Sequence, residues 1–203
     1  MLQQLRISIC AISILVASPA LAGPFEDGIR AYKMGHQEEA IQLLSPLAEM
    51  GHVKAQLYMG MMHMSGKLSP NANLAKQFYW FNKAAQQGNP IAMVMIGGAY
   101  SHGRGVKKDL VEAVSWYRKA AEKCNIKAQF NLGNMYHKGE GVKKDNILAQ
   151  MWWKITLLGG SEFGQNNSNL VAKKMTVGEM KEADKLAQKW MAENRYCLPD
   201  KTS

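Results

Sequence analysis

Methionine and histidine crowd one short stretch of this chain. Met59, Met61, Met62, His63 and Met64 lie almost side by side, with Met50, Met93 and Met95 as further thioethers nearby. Thioethers and imidazole are suitable ligands for Cu(I). On a helix, Met59 and the Met62–His63 pair share a face, but Met61 points elsewhere. Methionine also fills irregular cores and makes adaptable partner surfaces. Packing or partner contact is therefore the expectation, with no metal and no other cofactor.

Carboxylates give less. Glu38 and Glu39 are adjacent, and neighbours on a helix point about 100° apart, so they do not converge on one substrate. The chain has no H-E-x-x-H, C-x-x-C, G-x-S-x-G or S-x-x-K motif. Without a nucleophile and a positioned base, acyl transfer has no machinery. A non-enzymatic protein is expected.

The N-terminus reads as an address. Arg6 precedes the apolar run Ile7 to Val16, and Ala20-Leu21-Ala22 is a small-x-small cleavage site. Residues 1–22 are thus expected to be a cleaved signal peptide, with the mature chain starting near Gly23. The run is too short to span a bilayer, which takes roughly 20 residues. Cys10 raises a lipoprotein reading, but Ile9 stands before it where a small residue belongs. The expected location is the periplasm or the exterior. Cys124 and Cys197 remain after cleavage. An oxidising compartment would permit a bond between them, tying the last helix to the rest; two unrelated free thiols is the alternative.

Arg6 apart, the formal net charge of +9 falls to +8. Such a surface can meet anionic headgroups, cell-wall polymers or acidic proteins. The signal peptide argues against nucleic acid. Lysines on solvated helix faces explain the same charge.

The elements that would position any of these residues are set by a period. Trp80, Trp116 and Trp152 are spaced 36 residues apart. Ala55, Ala92 and Ala128 each precede Gly60, Gly97 and Gly133 by five, and Gly66, Gly103 and Gly139 follow six later. A fixed period in the thirties marks a helical repeat array. In the unit from Ile91 to Asn125, Ala92, Ile96 and Tyr100 form one face of a helix A. Gly103 and Gly105 close it. Asp109 caps helix B, with Glu112 completing a box-like cap, and Trp116 and Ala120 face inward. Tyr136, Gly141 and Asp145 repeat these features in the third unit. The first unit departs from the pattern: His63 replaces the tyrosine, Asn73 replaces the aspartate, and the loop from Gly66 to Asn71 is longer.

This pattern, A-x-x-x-[LIM]-G-x-x-Y-x-x-G-x-G-V-x-x-D-x-x-x-A-x-x-W-x-x-K-A-A, resembles the Sel-one-like repeat, a relative of the tetratricopeptide repeat. The resemblance covers residues 53 to 160 and implies an all-α, right-handed solenoid of helix-turn-helix repeats with terminal caps. The divisions are 23–52 as an N-terminal helix pair, 53–90, 91–125 and 126–160 as repeats, and 161–203 as capping helices and tail. Within the first pair, Gly35 is the turn and Pro46 should kink the second helix. Thr176, boxed by Glu179, caps the last helix, whose stripe is Met180, Ala183, Ala187 and Trp190.

The resemblance also implies that helix A lines a concave face that holds a protein or peptide partner. Positions varying between repeats nominate Gln56, Met59, Met93, Ala99, Gln129, Asn131, Asn134 and His137 as contacts. A second surface is basic: Lys107-Lys108 and Lys143-Lys144 occupy equivalent loops beside Arg104 and Lys138. Such a ridge could touch anionic polymers or lipids, with binding that weakens as salt rises. A secreted, cysteine-rich branch of the family is associated with penicillin binding and β-lactamase-like activity. That branch carries paired cysteines in each repeat, which this chain lacks. The expectation is an exported interaction scaffold. The alternatives are a β-lactam-interacting or cell-wall-associated protein, or anionic polymer or lipid binding through the loop lysines.

Overall fold

The computed structural model describes residues 23–64 and 73–197. Residues 1–22, where the signal peptide is expected, the first-repeat loop with Gly66, and the residues after Cys197 lie outside those described. Among the described residues ten α-helices follow one another: α1 (Pro24–Met34), α2 (Gln37–Glu49), α3 (Val53–Met62), α4 (Leu74–Gln86), α5 (Pro90–His102), α6 (Leu110–Ala121), α7 (Ile126–Lys138), α8 (Asn146–Leu158), α9 (Gln165–Ala172) and α10 (Val177–Glu193). A 3-10 turn, Arg195–Cys197, ends the described chain. Among the described residues there is no strand, and no helix is long and apolar enough to cross a membrane. From α1 to α9 each helix packs on the next; α10 then turns back onto α8. The result is an all-α repeat solenoid. α2 runs through Pro46 for three further residues.

The caps explain where the helices begin. Asn89 and Asn125 accept hydrogen bonds from the amides of Ala92 (2.9 Å) and Ala128 (3.1 Å), three residues on. His52 does the same for Ala55 through Nδ1. Asp109 accepts from Val111 and Glu112, Asp145 from Leu148, and Asn73 from Lys76. A reciprocal capping box forms at Thr176 and Glu179, where the hydroxyl and carboxylate each answer the other's backbone. Those bonds hold the Glu179 carboxyl below its ordinary range.

The mid-helix glycines are sites of close approach. A Cβ on Gly60 would come within 2.5 Å of the Phe81 ring, and one on Gly97 within 2.8 Å of Tyr117. Gly133 meets the Trp153 indole in the same way. The aromatic seated on each of these glycines is therefore the residue after the periodic tryptophan. In the second repeat Tyr117 takes that seat, and Trp116 beside it is half-buried, packed against the same core with the Lys119 ammonium 4.5 Å over its ring. Adjacent helix positions diverge by about 100°, so only one of the two can sit on the glycine. Trp80 and Trp152 are buried, the latter edge-on to Trp190 of α10.

Helix-B ends close in the left-handed conformation at Gly51, Gly88 and Gly160. Cys124 occupies the equivalent place with φ 61, and it is bonded to Cys197. The Tyr196 hydroxyl donates to the Glu122 carbonyl at 2.9 Å beside this bond. Lys154 of α8 pairs with Asp184 of α10, and burial pushes the Lys154 amine down. The last helix is thus tied to two repeats at once.

Candidate partner-binding groove

Consecutive glycines, Gly97 and Gly98, lie in the middle of α5. Each costs a helix about 1 kcal/mol relative to alanine. For Gly97 the gain is evident: its bare backbone seats the Tyr117 ring. Gly98 has no such need, since a Cβ there would stand 3.6 Å from the Tyr117 hydroxyl, an ordinary contact distance. The equivalent residues in the other repeats are Met61 and Asn134.

The space left by Gly98 is a groove between α4 and α5, open to solvent, of about 200 Å³. Phe78 supplies one wall and Val94, Met95 and Ala99 the other; Tyr117 is at the base and Arg104 at one end. Burial pushes the Tyr117 hydroxyl up to about 12. His102 holds Nδ1 2.9 Å from the Gly98 carbonyl, and Met64 reaches the rim. Ligand pockets of drug size span roughly 300–1,000 Å³. The smaller groove fits one or two side chains of a longer segment.

The nominated contact residues divide in two. Gln56, Met59, Met93 and Gln129 are buried, at 2%, 3%, 6% and 2% exposure, and so offer no partner surface in this structure. Gln56 donates to the Ala48 carbonyl at 2.9 Å and accepts from Gln87 at 2.8 Å. Gln129 donates to the Ala121 carbonyl across the corresponding junction between α6 and α7. These amides add a second donor to carbonyls at the end of the preceding helix B, which also accept from the Gly51 and Cys124 amides. Met59 and Met93 fill two separate cores.

Ala99, Asn131, Asn134 and His137 are half-buried. Ala99 lines the groove. Asn134 already accepts from Asn167 of α9 at 2.8 Å, and His137 meets Asn146 at 2.9 Å with its ring tilted against that of Trp153. Asn131 keeps partial access without a role in the groove. Sequence reasoning passed over Phe78, Val94 and Gly98. The unexplained second glycine was the available signal.

The methionine–histidine stretch does not converge. Met59 and Met62 are buried in the N-terminal core, Met61 packs against the central one, and Met64 is exposed. Burial and the Lys76 charge push the His63 imidazole below its ordinary range. Glu38 and Glu39 are exposed, with Glu39 3.4 Å from His36. Arg104, Lys107, Lys108, Lys138, Lys143 and Lys144 are all exposed, and Lys138 reaches Glu140 at 3.9 Å. The second glycine of each loop packs against the preceding helix B: Gly105 on the Leu74 carbonyl and Gly141 on that of Leu110. The two loops therefore hold equivalent positions on successive repeats.

Residues 53–89, 90–123 and 126–160 each match the family model described as Sel1 repeat. The chain belongs to the Sel1 repeat family. Sel1 repeat proteins are helical scaffolds that mediate protein–protein interaction. A uropathogenic Escherichia coli protective antigen with this fold, c5321, is 34% identical, with a TM-score of 0.72 over 77% of this chain and 33% of that one. A Sel1 repeat protein from Oxalobacter formigenes is 33% identical, with a TM-score of 0.56 over 64% of this chain and 96% of its own. Among curated relatives, the ERAD-associated E3 ubiquitin-protein ligase component HRD3A of Arabidopsis thaliana is 31% identical over 71 residues. That match spans 35% of this chain and 10% of the plant protein.

Proposed function

We propose that this Sel1 repeat protein is an exported, non-catalytic scaffold that holds a segment of a partner protein against its helix-A face, in the groove between α4 and α5. The carrying observation is that groove: apolar, open to solvent, and opened by a glycine that the packing does not require. Ala99, Met95 and Val94 present it from helix A. Asn131 extends the accessible face into the next repeat. Export is supported by the Arg6, Ile7–Val16 and Ala20-Leu21-Ala22 pattern and by the Cys124–Cys197 bond, since such bonds persist in oxidising compartments.

The test is co-purification from the source cells with wild-type chain and with Val94→Glu, which places a carboxylate on the groove wall. The expected result is a stoichiometric protein that the variant loses while its melting temperature holds. Retention by Val94→Glu sinks the groove reading.

A second reading rests on the six exposed cations. The loops of Lys107-Lys108 and Lys143-Lys144 sit alike on successive repeats, which supports contact with an anionic polymer or lipid. Reversal of these four lysines to glutamate would then abolish pelleting with cell envelopes, and unchanged pelleting removes this reading.

A further inference from the structure

The charge around the groove says what kind of segment suits it. Between Val53 and Gly160, Lys and Arg outnumber Asp and Glu three to one. Two of the few carboxylates, Asp109 and Asp145, are committed to helix caps. Arg104 lines the groove, and Lys107 and Lys108 follow it in the same loop. Among the described residues, none of these three cations is in an ion pair with a carboxylate. An apolar slot with unpaired cations at its end favours a ligand that brings carboxylates. Its volume holds a side chain or two, not a whole small molecule.

We infer that the groove takes an acidic peptide segment of a partner protein, with an apolar side chain entering over Gly98 and flanking carboxylates meeting Arg104, Lys107 and Lys108. This rests on the groove reading above and adds the chemistry of the occupant. Gly98 is the specificity-determining position. Its counterparts Met61 and Asn134 carry side chains where Gly98 leaves open space, so the site belongs to the second repeat. No atom within 3.4 Å of a Cβ at Gly98 stands in the way of a substitution there.

Fluorescence anisotropy tests this with three labelled hexapeptides: Asp-Glu-Leu-Phe-Asp-Glu, its Asn/Gln counterpart and its Lys counterpart. The acidic peptide is expected to bind at least about tenfold more tightly than either of the others. Gly98→Met should abolish binding of the acidic peptide without lowering the melting temperature. Arg104→Glu, at an exposed position, should erase its advantage over the Asn/Gln peptide. Equal binding of the acidic and Asn/Gln peptides, both lost in Gly98→Met, overturns the acidic occupant and leaves the groove standing. Binding that survives Gly98→Met, or no binding by any peptide, overturns the inference outright. The co-purification result then decides separately whether the groove reading falls with it.

Discussion

The ring of Tyr117 lies directly on the backbone of Gly97, so closely that a Cβ there would sit 2.8 Å from its ring carbons. The same glycine-to-aromatic seat recurs at Gly60 with Phe81 and at Gly133 with Trp153. It fixes the spacing of helices A and B in every repeat. It also isolates Gly98 as the glycine without a packing reason.

Neighbouring alanine substitutions in α5 should therefore have opposite signs. Gly97→Ala forces the Tyr117 ring to shift, and overpacking of this kind costs about 1–3 kcal/mol. Gly98→Ala meets only ordinary contact and should stabilise by up to about 1 kcal/mol through helix propensity. Urea unfolding midpoints of the two variants check this; a stabilised Gly97→Ala would refute the seat.

Gln56 should behave as a structural residue. It joins the Ala48 carbonyl to Gln87 inside the junction of the first pair and the first repeat. Gln56→Ala removes both bonds from the junction while the Ala48 carbonyl keeps the Gly51 amide, a loss of about 1 kcal/mol for each bond. Partner binding per folded molecule should stay unchanged. A binding defect at full stability would return Gln56 to the contact surface.

The bond between Cys124 and Cys197 closes a separation of 73 residues. On the chain-entropy model, removing it costs about 4 kcal/mol. Cys124 also holds a left-handed φ that a non-glycine residue adopts at a cost of roughly 1–2 kcal/mol. A Cys124→Gly, Cys197→Ser double variant should therefore be more stable than Cys124→Ser, Cys197→Ser by about 1 kcal/mol. Equal denaturation midpoints would contradict the strain.

Tyr117 should give a distinctive alkaline limb. Burial raises its pKa from the ordinary 10.0 to about 12, so the folded state keeps the proton longer than the unfolded chain does. The associated stability is complete below pH 10 and is lost as pH rises from there towards 12. Tyr117→Phe should flatten this part of the stability–pH curve. An unchanged slope would place the titration elsewhere.

The fold was readable because its determinants are local and repeated. Ala92, Gly97, Gly103 and Asp109 each set a helix face, a close approach, a stop or a start, and the period multiplies each signal. What stayed hidden depends on neighbours distant in sequence. Trp116 and Tyr117 are adjacent, and only the packed partner shows which of them sits on the glycine. Gln56 and Gln129 read as polar variable positions because their carbonyl acceptors belong to the previous repeat. Asn134 looked free because Asn167 is 33 residues away. The groove arises from one missing side chain beside a structural glycine, a signal that spacing alone does not separate.

Site-specific photo-crosslinking in the source cells tests the central claim most directly, with the reactive residue placed at Met95 and Ala99 on the groove wall and at the exposed Lys185 of α10 as the control. The scaffold account predicts one discrete protein adduct from the groove positions and none from Lys185. Adducts of the same pattern from all three positions, or none from Met95 and Ala99, would contradict it.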